Sequence, residues 1–121
     1  MLSMTTDDER GLIEITVDGT ITVADFDRVQ AELERMFETH KQLNAVEVIR
    51  SFSPTFDPAL WWRDLTWGFG HIHKFARATV VTDSGWIGPV TRAVSALMPA
   101  EVRVFPLAEL EAARRWAAER R

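Results

Sequence analysis

The sequence contains no cysteine, no signal peptide and no long hydrophobic run. Without cysteine, the chain cannot form a disulfide bond, bind a metal through a thiolate or use a thiol nucleophile. Its first residues are polar and acidic, unlike those of a secretory leader, and no segment approaches the roughly 18 apolar residues that cross a bilayer. We therefore expect a cytoplasmic protein without an integral membrane segment.

Basic charge is also scarce, because 14 Lys and Arg residues stand against 18 Asp and Glu residues, for a formal net charge of -4. A broad basic surface for nucleic acid is therefore absent. The C-terminal arginines are interspersed with acidic residues, which is typical of a solvated helix face. We expect no nucleic-acid partner.

What the chain does contain suits one α/β domain over residues 1–121. Thr22 and Asp25 resemble a capping box and predict a helix from Val23 to Thr39. Its apolar residues follow at helical spacing: Phe26, Val29, Leu33, Met36 and Phe37. The other predicted helices are 57–73, 86–98 and 107–118, and the predicted strands are 2–5, 12–17, 45–49, 78–82 and 102–105.

Aromatic residues are concentrated between Asp57 and Asp83, where three of the five tryptophans lie within seven positions. The apolar ridge of the predicted helix there runs through Trp61, Leu65, Phe69 and Ile72, so Trp62 and Trp67 lie off it. This surplus favours core packing, an apolar ligand pocket or a subunit interface. The predicted ligand-binding residues are Trp61, Trp62, Trp67, Phe69, His71 and Trp86.

Catalytic and metal-binding patterns are weak. His71 and His73 would chelate a metal from a strand, but on a helix their side chains diverge by roughly 200°, and only Asp64 and Asp83 offer themselves as further ligands. Ser51, Ser53 and Ser84 follow strands but lack a G-x-S-x-G elbow, and there is no phosphate-binding glycine loop. We predict no metal, no cofactor and no enzymatic activity.

The order of the motifs resembles the bacterial SpoIIAA-like family. The resemblance is carried by ITVDGTITVADFDRV, ALWWRDLTWGFGHIHKFARATVVTDSGW, EVRVF and LEAARRW. It implies a mixed, mostly parallel sheet of about five strands flanked by about four helices, related to STAS domains and to the lipid-binding part of CRAL-TRIO proteins. True anti-sigma-factor antagonists of this type carry a phosphorylated serine in a D-S-[ST]-G turn. The corresponding region here is RSFSPTF, which makes Ser51 or Ser53 the phosphosite if there is one.

Two functions follow as hypotheses. The first is a non-enzymatic module that binds a small apolar or lipid-like ligand in a tryptophan-lined groove. The alternative is a STAS-type regulatory module that acts through self-association or a partner protein. We expect a homo-oligomer in either case, because edge strands and apolar helices need cover.

Overall fold

The computed structural model describes residues 1–51, 71–83, 85, 87, 89, 91, 92, 96 and 100–119. The strands are β1 (Leu2–Asp7), β2 (Leu12–Val17), β3 (Leu43–Ile49), β4 (Phe75–Thr82) and β5 (Glu101–Phe105), and the α-helices are α1 (Val23–Thr39) and α2 (Leu110–Ala118). Short 3-10 helices precede β4 at Ile72–Lys74 and α2 at Leu107–Glu109.

The strands form one mixed sheet in the order β1-β2-β3-β4-β5. β1 runs antiparallel to β2, and the other three strand pairs are parallel. Gly11 ends the β1–β2 turn with a φ of +61°, and a Cβ there would lie 3.0 Å from Cδ2 of His40. The predicted five-stranded mixed sheet is confirmed.

Helix α1 has the bounds that its cap predicts. The Thr22 hydroxyl accepts a hydrogen bond from the Asp25 amide, and the Asp25 carboxylate accepts one from the Thr22 amide. The bond from the Thr22 backbone is the largest of the effects that lower the pKa of Asp25. The ionised Asp25 carboxylate therefore stabilises the folded protein at neutral pH, and this contribution is lost only as the pH falls through the lowered pKa.

The sheet has a hydrophobic core on each face, because side chains alternate along each strand. On one face, α1 buries Val29, Leu33 and Met36 against β1, β2 and Leu43 of β3. On the other face, Ala113 and Ala117 of α2 are fully buried against three valines: Val46, Val48 and Val81. The small alanine side chains allow α2 to approach the sheet closely.

Two polar side chains fix the end of α2 to the sheet. Asn44 Nδ2 donates to the Ala117 carbonyl at 2.8 Å, and Arg77 Nη1 donates to the Trp116 carbonyl at 2.8 Å. The register between β3 and β4 shifts next to Asn44, where its Oδ1 accepts from the Arg77 amide at 3.1 Å. The Arg77 guanidinium also lies 4.6 Å from the Trp116 ring. These bonds satisfy carbonyls that a helix end leaves without partners.

The prediction of about four helices needs correction, since the described part of the chain contains two α-helices with defined bounds, α1 and α2, and helical residues at 87, 89, 91 and 92. The predicted helices 57–73 and 86–98 lie largely outside the described residues. At the end of the first, Ile72–Lys74 forms a 3-10 helix because β4 begins at Phe75, three residues earlier than predicted. Phe75 belongs to the strand because it packs on the α1 core. The predicted closing helix begins with the 3-10 turn at Leu107–Glu109, and its α-helical part starts at Leu110.

Candidate functional site

A groove of about 300 Å³ lies between the β1–β2 hairpin and α2. It is found on the sheet face that α2 covers, where α2 packs across β3 and β4. The β1–β2 hairpin therefore lies beside α2 and is not covered by it. Residues of both elements line the groove: Thr5, Thr6, Asp7, Arg10, Leu12, Ile13, Glu14, Val46, Arg114, Arg115 and Ala118.

The lining combines apolar side chains with hydroxyl groups. Leu12 contributes apolar surface from β2, and Ala118 contributes it from the last turn of α2, while Val46 lies buried beneath them. Thr5 stands opposite Glu14 in the β1–β2 register. Such a mixture of apolar surface with a few polar groups is what small-molecule sites usually offer.

The charges inside the groove are already paired. Arg114 Nε and Nη2 donate to the two carboxylate oxygens of Glu14 at 2.7 and 2.9 Å, a bidentate pair. Arg114 Nη1 donates to Glu111 at 2.5 Å. The hydrogen bonds that Arg114 donates to Glu14 are the main cause that raises the pKa of Arg114. Because both oxygens of Glu14 hold an arginine, this carboxylate is not free to act as an acid or base.

The rim of the groove carries two more arginines. Arg10 lies 3.7 Å from the Asp7 carboxylate, and both of these side chains are well exposed to solvent. Arg115 is exposed and makes no ion pair or hydrogen bond with its side chain to any residue in the described part of the chain. The guanidinium groups of Arg10 and Arg115 can therefore bind an anion without first breaking a buried ion pair.

Ser51 lies at the carboxyl end of β3, on the sheet edge where ligands of open α/β sheets commonly bind. Its hydroxyl donates to the Asp18 carboxylate at 2.6 Å and accepts from the Gly19 amide at 2.8 Å. Asp18 and Gly19 form the turn after β2, in which Gly19 has a φ of +77°. The hydroxyl thus joins the ends of two parallel strands, and no described imidazole contacts it.

His71 lies in an aromatic cluster just before β4. Its ring stacks on Phe37 with 5.8 Å between centroids, and Phe75 meets Phe37 edge-on at 5.6 Å. Lys74 Nζ lies 4.9 Å from the same Phe37 ring. Because β3 and β4 are parallel, this cluster and Ser51 lie at opposite ends of the sheet. The structure does not bring the two predicted site residues together.

The remaining predicted site residues cannot be placed. Ser53 and the five aromatic candidates lie outside the described residues: Trp61, Trp62, Trp67, Phe69 and Trp86. Within the described ranges, no cluster of three or more His, Asp or Glu side chains is arranged to hold a metal. No helix among the described residues is long and apolar enough to span a membrane.

Sequence reasoning missed the groove. Glu14 and Arg114, which form its inner wall, are 100 residues apart. The only local signal is the alternation in β2, where Glu14 and Thr16 separate Ile13, Ile15 and Val17. This pattern indicates a polar second face, which a fully covered strand would not have.

The comparisons with known proteins agree with this fold. The sequence matches the family model described as SpoIIAA-like over residues 12–118. The structure is similar to that of an uncharacterized protein of the DUF3478 family with a SpoIIAA-like fold from Shewanella loihica PV-4. The TM-score is 0.73 with 19% identity, and the match covers 97% of this chain and 92% of that chain. At this identity the likeness shows the fold alone. No curated protein matches this sequence.

Proposed function

This chain belongs to the SpoIIAA-like family, and we propose that it is a non-enzymatic, cytoplasmic module that binds a small apolar or lipid-like molecule. The observation that carries this function is the groove between the β1–β2 hairpin and α2, with its apolar surface from Leu12 and Ala118. Its volume is at the lower end of the range for ligand pockets, roughly 300–1,000 Å³. The ligand is therefore small.

The described side chains support binding rather than catalysis. Glu14 is held by Arg114, and the Ser51 hydroxyl donates to Asp18 instead of to a histidine. His71 stacks on Phe37 at the far end of the sheet. A nucleophile needs a base within hydrogen-bond reach, and these groups offer none. The predicted aromatic residues remain candidates for additional lining of a ligand site.

Filling the groove should weaken ligand binding without unfolding the protein. We expect Ala118→Phe to weaken the binding of the neutral fluorescent probe naphthylamine by about tenfold or more, which corresponds to about 1.4 kcal/mol. The matched control is Ala112→Phe, since Ala112 is also a half-buried alanine of α2 but does not line the groove. Probe titrations followed by fluorescence would measure both variants, and thermal melts would confirm that both are folded. Equal affinities for the two variants would contradict binding in this groove.

A specific contact favours a second candidate function, a STAS-type regulatory module controlled at Ser51. The exposed Ser51 hydroxyl joins the carboxyl ends of β2 and β3 through Asp18 and Gly19. A phosphate there would remove the donated hydrogen bond and place negative charge against the Asp18 carboxylate. The turn at Asp18 and Gly19 would then open, changing the surface offered to a partner. Self-association through the edge strands β1 and β5 belongs to this candidate.

Introducing a charge at Ser51 tests this second function. We expect Ser51→Asp to speed hydrogen exchange of the Gly19 amide about tenfold relative to Ser51→Asn, which has the same shape but no charge. The reason is the repulsion between the new carboxylate and Asp18, which lies 2.6 Å from the serine hydroxyl in the parent. Sedimentation velocity of the same samples reports whether the charge also changes an oligomer. Identical exchange and identical assembly in both variants would exclude a switch at Ser51.

A further inference from the structure

We infer that the ligand of the groove is an amphipathic monocarboxylate, with its carboxylate at the arginine rim and its apolar body over Leu12 and Ala118. This inference rests on the proposed binding function and names the chemistry of the ligand.

The first step concerns charge. The lining of the groove contains three arginines and two carboxylates, and Glu111 beside the groove pairs with Arg114, so these charges balance in number. Glu14 is fully engaged by Arg114, and Asp7 offers Arg10 only a long, exposed contact of 3.7 Å. Glu111, which does not line the groove, accepts a third hydrogen bond from Arg114. Arg115 has no anionic partner among the described residues. An anion therefore finds Arg115 and, in part, Arg10 available.

The second step concerns the kind of anion. Guanidinium groups bind planar carboxylates through two parallel hydrogen bonds. The Arg114–Glu14 pair shows this geometry at the inner wall of the same groove. Arg10 lines the groove from the β1–β2 turn, and Arg115 lines it from α2. A single carboxylate matches the one guanidinium without a partner among the described residues, that of Arg115, better than a phosphate dianion does.

The third step concerns size. A water molecule occupies about 30 Å³ of liquid, so a groove of about 300 Å³ holds roughly ten waters or a ligand of about ten non-hydrogen atoms. Octanoate has this size. A long-chain fatty acid exceeds it and would leave much of its chain in solvent.

Competition between octanoate and octanol tests the head group directly. Both would displace naphthylamine from the purified protein, and we expect octanoate to do so at a concentration about tenfold lower. Octanol is the more hydrophobic of the two, so a purely apolar site would prefer octanol instead. The expected preference for octanoate should weaken as the salt concentration rises, because the rim is exposed.

Charge-removal variants assign the effect to the rim. We expect Arg115→Gln to abolish the preference for octanoate while leaving octanol displacement unchanged. The control Arg50→Gln loses the same charge at an exposed position after β3, away from the groove, and should retain the preference. Equal displacement by the two competitors in the parent protein, or an unchanged preference in Arg115→Gln, would overturn the carboxylate inference while the groove remained a binding site. If neither compound displaced the probe, both the groove function and this inference would fall.

Discussion

Replacing Asn44 by alanine should lower the free energy of unfolding by about 2–4 kcal/mol, an unusually large loss for a half-buried polar residue. The Asn44 carboxamide donates to the Ala117 carbonyl and accepts from the Arg77 amide, at 2.8 and 3.1 Å. Alanine removes both partners at once. Each of the two backbone groups then remains part-buried without this hydrogen bond, at a cost of about 1–2 kcal/mol apiece.

Two further variants separate the hydrogen bonds from the loss of packing. Asn44→Asp keeps an acceptor for the Arg77 amide but loses the donor, and its charge faces the Ala117 carbonyl, so it should also be destabilised. Gln42→Ala is the matched control, because Gln42 is exposed and donates to the His73 carbonyl only at 3.4 Å. We expect it to change stability by less than about 0.5 kcal/mol. Urea denaturation followed by circular dichroism measures all three variants. We call the hydrogen bonds from Asn44 and Arg77 to the end of α2 the clamp. An Asn44→Ala protein as stable as the parent would show that this clamp does not hold α2 on the sheet.

The clamp also matters for function, because it positions one wall of the groove. Ala118 and Arg115 belong to the C-terminal part of α2, which Asn44 and Arg77 bind through the Ala117 and Trp116 carbonyls. Loosening the clamp should therefore weaken naphthylamine binding even at temperatures where the protein remains folded.

Local sequence signals predicted α1 and the strands well, for identifiable reasons. The capping box at Thr22 and the apolar spacing of Phe26, Val29, Leu33 and Met36 are short-range features, and each has a direct structural consequence. The strands followed from β-branched residues between turns, although β3 and β4 begin earlier than predicted.

The clamp and the groove escaped prediction because their partners are distant in sequence and polar. Asn44 is separated from Ala117 by 73 positions, and Glu14 from Arg114 by 100. Polar residues on a partly covered sheet face give no hydrophobic period that would reveal their partners. The predicted site was built instead on surplus aromatic surface. Of that set only His71 falls within the described residues, and it lies at the opposite end of the parallel strands from the separate phosphosite candidate Ser51.

Replacing Met36 by alanine should cost about 2–5 kcal/mol, the usual range for truncating a large core side chain. Met36 is fully buried in the α1 core beside Leu33 and Leu43. The volume-conserving change Met36→Leu should cost less than about 1.5 kcal/mol. Denaturant unfolding measures both variants, and a similar loss in the two would contradict tight packing at this position.

Comparing Met36→Ala with Asn44→Ala also separates the two faces of the sheet. α1 and its core lie on the face opposite the groove, since Ile13 faces α1 whereas its neighbours Leu12 and Glu14 face α2. Met36→Ala should therefore leave naphthylamine affinity unchanged well below its melting temperature, because it removes packing without moving α2. Asn44→Ala should lower both stability and affinity. If both variants lost affinity in proportion to their lost stability, the probe would be reporting the folded fraction rather than the geometry of the groove.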